Sequence, residues 1–171
     1  MLMHRAALRR AGALLAILVI VLAAAYGMRH AFRQHPAVPG KPLPVISLID
    51  LSGAPATVRP QAGTTLYNVF ATWCVPCAME MPMLSTAAPR LRAQGIRIVG
   101  IDQGDSIESV RSFIARYDLR YPILIDDGKR TNALLGARII PETVLVRDGI
   151  VVQIFVGPLS PAALNELVAE R

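Results

Sequence analysis

Histidine is missing from the sequence beyond residue 35, and cysteine occurs only twice in 171 residues. Each shortage removes a class of chemistry. A closed zinc site takes four ligands, and a single Cys-x-x-Cys pair with no histidine in the same domain does not supply them, so no metal is expected. A Cys–His hydrolytic dyad is excluded for the same reason, because His4, His30 and His35 all precede the folded region. Net charge is also scarce after the first quarter of the chain. Six of the eighteen Lys and Arg residues fall in the first 41 positions with no acid among them, and from Pro42 onward twelve basic residues meet twelve acidic ones. The formal +6 thus belongs to the N-terminal flank, and with no basic patch interleaved with aromatics, no nucleic-acid partner is expected.

The long apolar run stands at the front. Ala11 to Met28 is eighteen residues without a charge, enough at about 1.5 Å per residue to cross most of a hydrocarbon core about 30 Å thick. Arg5, Arg9 and Arg10 precede it, which keeps the N-terminus cytoplasmic and sends the rest outward; Arg29 and Arg33 reduce that asymmetry. A cleavable leader ending at Ala23-Ala24-Ala25 is the alternative. The apolar run continues through Tyr26 to Met28, which favours an uncleaved anchor, and both readings export the domain. Residues 1–10 then form a cytoplasmic basic segment, 11–28 a single transmembrane helix, and 29–44 a linker. Pro36, Pro39, Pro42 and Pro44 make that linker extended.

Residues 45–171 read as one domain. Val45–Val58 forms a hairpin, Leu66–Ala71 and Ile96–Asp102 are buried strands, and Cys74–Ala93 is a helix between them. Asp105-Ser106 caps a helix over Ile107–Tyr117. A third strand spans Tyr121–Ile125 and a short helix Lys129–Leu135. Thr143–Arg147 and Val151–Val156 flank the hairpin signal Asp148-Gly149, and Ser160-Pro161 opens a terminal helix. Alternating βαβ units predict a parallel sheet in an α/β sandwich, with the closing hairpin as an antiparallel edge.

The chemistry centres on Asn68-Val-Phe-Ala-Thr-Trp-Cys-Val-Pro-Cys77, a strand running into a helix with Cys74 and Cys77 at the junction. A thiol at a helix N-terminus faces unpaired N–H groups and the positive dipole end, which favour the thiolate. That makes Cys74 the candidate nucleophile and Cys77, one turn further in, the resolving thiol. Pro76 stiffens the turn, Trp73 sets an aromatic ring beside the sulfur, and Pro82 is expected to kink the helix. A purely structural disulfide is disfavoured, since so small a loop constrains the unfolded chain little. Met79, Met81 and Met83 raise copper(I) carriage, although Met79 and Met83 share a helix face that core packing also explains.

Trp73-Cys74-Val75-Pro76-Cys77, Glu80, Pro82 and Pro141-Glu142-Thr143 together resemble the thioredoxin superfamily. More narrowly, the chain from about Pro42 to Arg171 is similar to the membrane-anchored, exported thiol–disulfide oxidoreductases of the TlpA/ResA/DsbE-like group, and Ile107–Ile125 matches their insertion. The resemblance implies a thioredoxin-like three-layer α/β/α sandwich with an N-terminal hairpin and a central αβ insertion. It implies a cis Ile140-Pro141 bond facing the dithiol, where an extended partner chain docks against Trp73, Pro76, Ile140, Pro141 and Glu142. Cytosolic thioredoxins bury an aspartate at the position of Asn68; here Glu80 and Glu142 are the available acids, and Glu80 is expected to take the proton of Cys77. No cofactor is implied beyond a redox-active Cys74–Cys77 disulfide. A redoxin-type peroxidase would need its reactive cysteine elsewhere in the fold. The expected role is reduction of disulfides in exported proteins such as apocytochrome c, on the periplasmic side of the inner membrane, with a transmembrane electron donor. A DsbA-like oxidant or isomerase is the alternative, because Val75-Pro76 does not set the reduction potential.

Overall fold

Seven apolar, mostly short runs supply the strands. In a computed structural model of the chain, which describes residues 17–23, 38–128, 130, 131, 135 and 139–169, they are β1 (Ile46–Ile49), β2 (Pro55–Val58), β3 (Thr64–Phe70), β4 (Ile96–Asp102), β5 (Ile123–Ile125), β6 (Glu142–Arg147) and β7 (Ile150–Val156). The helices are α1 (Val75–Ala93), α2 (Ile107–Tyr117) and α3 (Pro161–Ala169). One sheet takes the order β2-β1-β5-β4-β3-β6-β7. Its centre, β3, β4 and β5, is parallel, as two βαβ crossovers require. The hairpins add antiparallel strands at both edges. At the β6–β7 turn Asp148 and Gly149 both have positive φ, 50° and 79°, the backbone of a two-residue primed turn.

Alternation along β3 divides the core in two. Leu66 and Phe70 face a cluster with Leu84 and Leu91 of α1, Val110 and Phe113 of α2, and Leu164 and Leu167 of α3. Tyr67 and Val69 face a second cluster with Leu43, Leu48, Val144 and Leu135. The expected Lys129–Leu135 helix, and with it the third layer of the sandwich, falls largely outside the described residues; Leu135 N–H bonds the Thr131 carbonyl at 2.8 Å. α1 continues through both Pro82 and Pro89. One expectation needs correction. The linker does not extend to residue 44: Gly40 and Leu43 donate to Val151 and Gly149 at 2.8 Å each, so its end lies along β7 and belongs to the domain.

The chain divides into two units, Met1–Gln34 and His35–Arg171. In the first, residues 17–23 are helical with exposed apolar side chains. The remainder of Ala11–Met28 lies outside the described residues, and among the described ones no helix is long and apolar enough to cross a membrane.

Gly100 on β4 shows how tightly the helix-side cluster closes. A Cβ there would meet Ile123 Cδ1 at 2.5 Å and the Phe70 ring at 3.2 Å, and Phe70 in turn stacks on Phe113 with centroids 5.5 Å apart. Gly100→Val is expected to cost about 1–3 kcal/mol through overpacking, read as a lower urea midpoint at unchanged slope.

Candidate active site

β3 ends at Phe70 against the dithiol turn, and α1 begins at Val75. Cys74 is the helix N-cap, with φ −81° and ψ 106°, and its Sγ accepts the Cys77 N–H at 3.2 Å. A sulfur thus occupies the place of a capping oxygen. Pro76 falls in the first turn, where a missing N–H costs no helical bond. The two sulfurs are joined, with Cα atoms 5.3 Å apart, and both residues are buried at 4 % and 0 % exposure. Around them Trp73, Val75 and Met79 stand out into solvent, each at least 70 % exposed. These residues, with Arg116 and Tyr117 of α2, line a cleft of about 410 Å³ beside Cys74. The Arg116 guanidinium lies 5.7 Å from the Tyr117 ring centroid.

The three methionines are not gathered into one site. Met79 is exposed, whereas Met81 is fully buried with its sulfur accepting the Tyr121 hydroxyl at 2.9 Å. Met79 is therefore not a core residue, contrary to the sequence reading.

Behind the dithiol the structure brings Asn68 and Glu80 together. Glu80 follows Cys77 by one turn and is buried, so it is not a solvated helix residue. Its Oε1 accepts Asn68 Nδ2 at 2.8 Å, and its Oε2 accepts the Leu159 N–H at 2.7 Å. Asn68 Nδ2 also donates to Thr143 Oγ1 at 3.0 Å. Burial holds the Glu80 carboxyl above its ordinary pKa, and the two donors pull it partly back. Tyr121 is pushed up by burial and by the Glu80 charge.

The Ile140–Pro141 bond is cis. Pro141 immediately precedes β6, whose first residue, Glu142, pairs with Val69 near the end of β3, so the proline stands on the sheet edge that carries the dithiol. Its carbonyl accepts the Gly157 N–H at 2.8 Å. Ile140 packs against both core clusters, while Ile139 and Val156 are exposed nearby. Glu142 is a strand residue rather than a loop charge. It is buried, its Oε1 has no hydrogen-bond partner among the described residues, and burial pushes its carboxyl up to about 7.

Two further buried acids at this edge, Asp102 and Asp126, escaped the sequence reading. Asp102 closes β4 in register with Phe70, is fully buried, and is pushed up to about 7, chiefly by burial. The available signal was an acid ending the mostly apolar strand Ile96-Arg-Ile-Val-Gly-Ile-Asp102, at the same end as Cys74.

A family model described as AhpC/TSA family matches residues 39–154. The chain belongs to this family. Among its relatives, the thiol-disulfide oxidoreductase ResA of Geobacillus kaustophilus is 32 % identical over 149 residues, covering 84 % of this chain and 86 % of that one. The ResA of Bacillus thuringiensis subsp. konkukian is 30 % identical over 129 residues, 74 % of this chain and 75 % of that one. Among solved structures, a secreted Mycobacterium tuberculosis disulfide oxidoreductase homologous to E. coli DsbE superposes with a TM-score of 0.64 at 26 % identity, over 74 % of this chain and 96 % of that one. The protein is a thiol–disulfide oxidoreductase of the ResA/DsbE type with a thioredoxin-like α/β fold.

The raised Glu142 carboxyl has a consequence for stability. Its ordinary value is 4.5 and its folded value about 7, so the folded state binds the proton more tightly. The resulting stabilisation is complete below about pH 4.5 and is lost as pH rises through about 7. Glu142→Gln is expected to lose less stability than the parent between pH 5 and pH 8, measured as urea midpoints; equal losses would contradict this.

Proposed function

We propose that the Cys74–Cys77 pair reduces disulfides of exported proteins outside the cytoplasmic membrane, apocytochrome c among them. Ala11–Met28 would tether the domain as a single-pass anchor in the inner membrane, and a transmembrane donor would restore the dithiol. The observation that carries the reading is the N-terminus of α1, where the Cys74 sulfur caps the helix behind an exposed apolar rim while Cys77 and Glu80 lie buried one turn apart. The apolar run ahead of the domain supports the location, and the resemblance to exported reductases supports the direction.

In the reduced enzyme the Cys74 thiolate attacks one sulfur of the substrate disulfide. A Cys74–substrate disulfide forms and the other substrate sulfur leaves as thiolate. Glu80 accepts the proton of Cys77, whose thiolate then attacks Cys74 Sγ. The Cys74–Cys77 bond closes and the second substrate sulfur leaves, so two electrons have passed to the substrate. Trp73, Pro76, Ile140, Pro141 and Glu142 border the face on which the extended substrate lies, with the backbone before Pro141 as its docking edge. Cys77→Ser removes the resolving sulfur and should hold the mixed disulfide on Cys74. Trapping in the native host, followed by mass spectrometry of the adducts, is expected to recover apocytochrome c or other exported proteins whose disulfides await reduction. Recovery solely of newly secreted proteins awaiting oxidation would overturn the reductase direction in favour of a DsbA-like oxidant.

A further inference from the structure

Neither the exchange chemistry nor the docking face uses Asp102. Its carboxyl is buried at the end of β4, and Oδ2 has no hydrogen-bond partner among the described residues. Oδ1 accepts the Asp105 N–H at 2.7 Å. Asp105 Oδ2 accepts both the N–H and the hydroxyl of Thr72, each at 2.7 Å. Thr72 is two residues before Cys74. A further bond, Gln103 N–H to the Phe70 carbonyl at 2.9 Å, ties the same two loops together. The segment that delivers the candidate nucleophile is thus pinned to the β4–α2 loop, and Asp102 sits beneath the pin.

We infer that Asp102 is a positioning residue for the exchange reaction: acting through Asp105, it holds the Thr72–Cys74 segment in place and makes the reactivity of Cys74 depend on its own proton. With the proton on, Asp102 is neutral and adds no charge beside Asp105. With the proton off, a second negative charge faces Asp105, the residue that holds the Thr72–Cys74 segment, and opposes the formation of a further anion on that segment. Burial pushes the Asp102 carboxyl up to about 7, and the Asp105 charge adds to the rise, so the change falls in the neutral range.

Of the titratable groups on the neighbouring elements, Asp126, after β5, donates its N–H to the Asp102 carbonyl at 2.8 Å; its Oδ2 takes the Thr131 N–H and hydroxyl, and its buried Oδ1 has no hydrogen-bond partner among the described residues. Tyr121 is bonded to Met81, and Glu80 on α1 to Asn68 and Leu159. Glu142 extends from β6 beside Val69, one residue short of the Phe70–Asp102 pair, and α2 carries the exposed Glu108, Arg111 and Arg116.

The inference rests on Cys74 being the attacking sulfur, and the test separates the two. The reduced full-length protein is alkylated with iodoacetamide from pH 5 to 9, and the adduct is placed by peptide mapping. Asp102→Asn keeps an acceptor for the Asp105 N–H and removes the charge. Near pH 5.5 variant and parent are expected to agree within about twofold, and by pH 8 the variant should react about three- to tenfold faster, the size of coupling expected between neighbouring charges. Asp105→Asn, which removes the like charge but leaves Asp102, should move the parent's step to lower pH. An adduct on Cys77 would contradict the nucleophile assignment and the inference with it. An adduct on Cys74 with the same rate ratio at every pH, or an unmoved step in Asp105→Asn, would overturn the inference alone.

Discussion

The structure depends on one hydrogen bond of an unusual kind, from the Cys77 N–H to the Cys74 sulfur at the head of α1. A helix start leaves N–H groups without partners, and an oxygen side chain ordinarily takes one of them. Here sulfur does so. The interaction strengthens when that sulfur becomes a thiolate, because a charged acceptor gains more from the N–H and from the helix dipole than a disulfide sulfur does. The need of the helix for a cap and the need of the reaction for a stabilised anion are met by one atom. Everything else at the site follows from where this helix end is placed, at the C-terminal edge of the parallel strands β3, β4 and β5.

That edge collects four buried acids, Glu80, Asp102, Asp126 and Glu142, with different surroundings. Glu80 has two donors and can carry a charge at modest cost. Asp102 has one oxygen bonded and one open, and Glu142 has an open oxygen at the start of β6. Open oxygens in an apolar setting favour the protonated form. The site therefore combines a carboxyl held by two donors with two whose open oxygens favour the protonated form, and it does so at the expense of stability above neutral pH.

Local features were legible in the sequence because their causes are local. Asp148-Gly149 marks its hairpin through two positive-φ residues, Ser106 caps α2 through its own hydroxyl, and the Cys74–Cys77 spacing requires no distant partner. Contacts set by register were not legible. One of the two donors to Glu80 is a backbone N–H 79 residues away. The tie from Asp102 through Asp105 to Thr72 exists because β3 and β4 pair with Phe70 opposite Asp102, and no single segment states that pairing. Helix phase explains the misread methionines: Cys77, Glu80, Met81 and Leu84 form the buried stripe, which leaves Met79 outside it. Likewise the end of the proline-rich linker looks like spacer until β7, more than a hundred residues later, takes up its backbone groups.

Reduction is the direction proposed for this helix end. The direct measurement is the reduction potential of the Cys74–Cys77 pair, obtained by equilibrating the protein with a glutathione redox buffer and quantifying the reduced fraction. Thioredoxin-fold pairs range from about −270 mV for reductants to about −120 mV for strong oxidants. A reductant is expected to lie towards the −270 mV end. A value near −120 mV would contradict that direction.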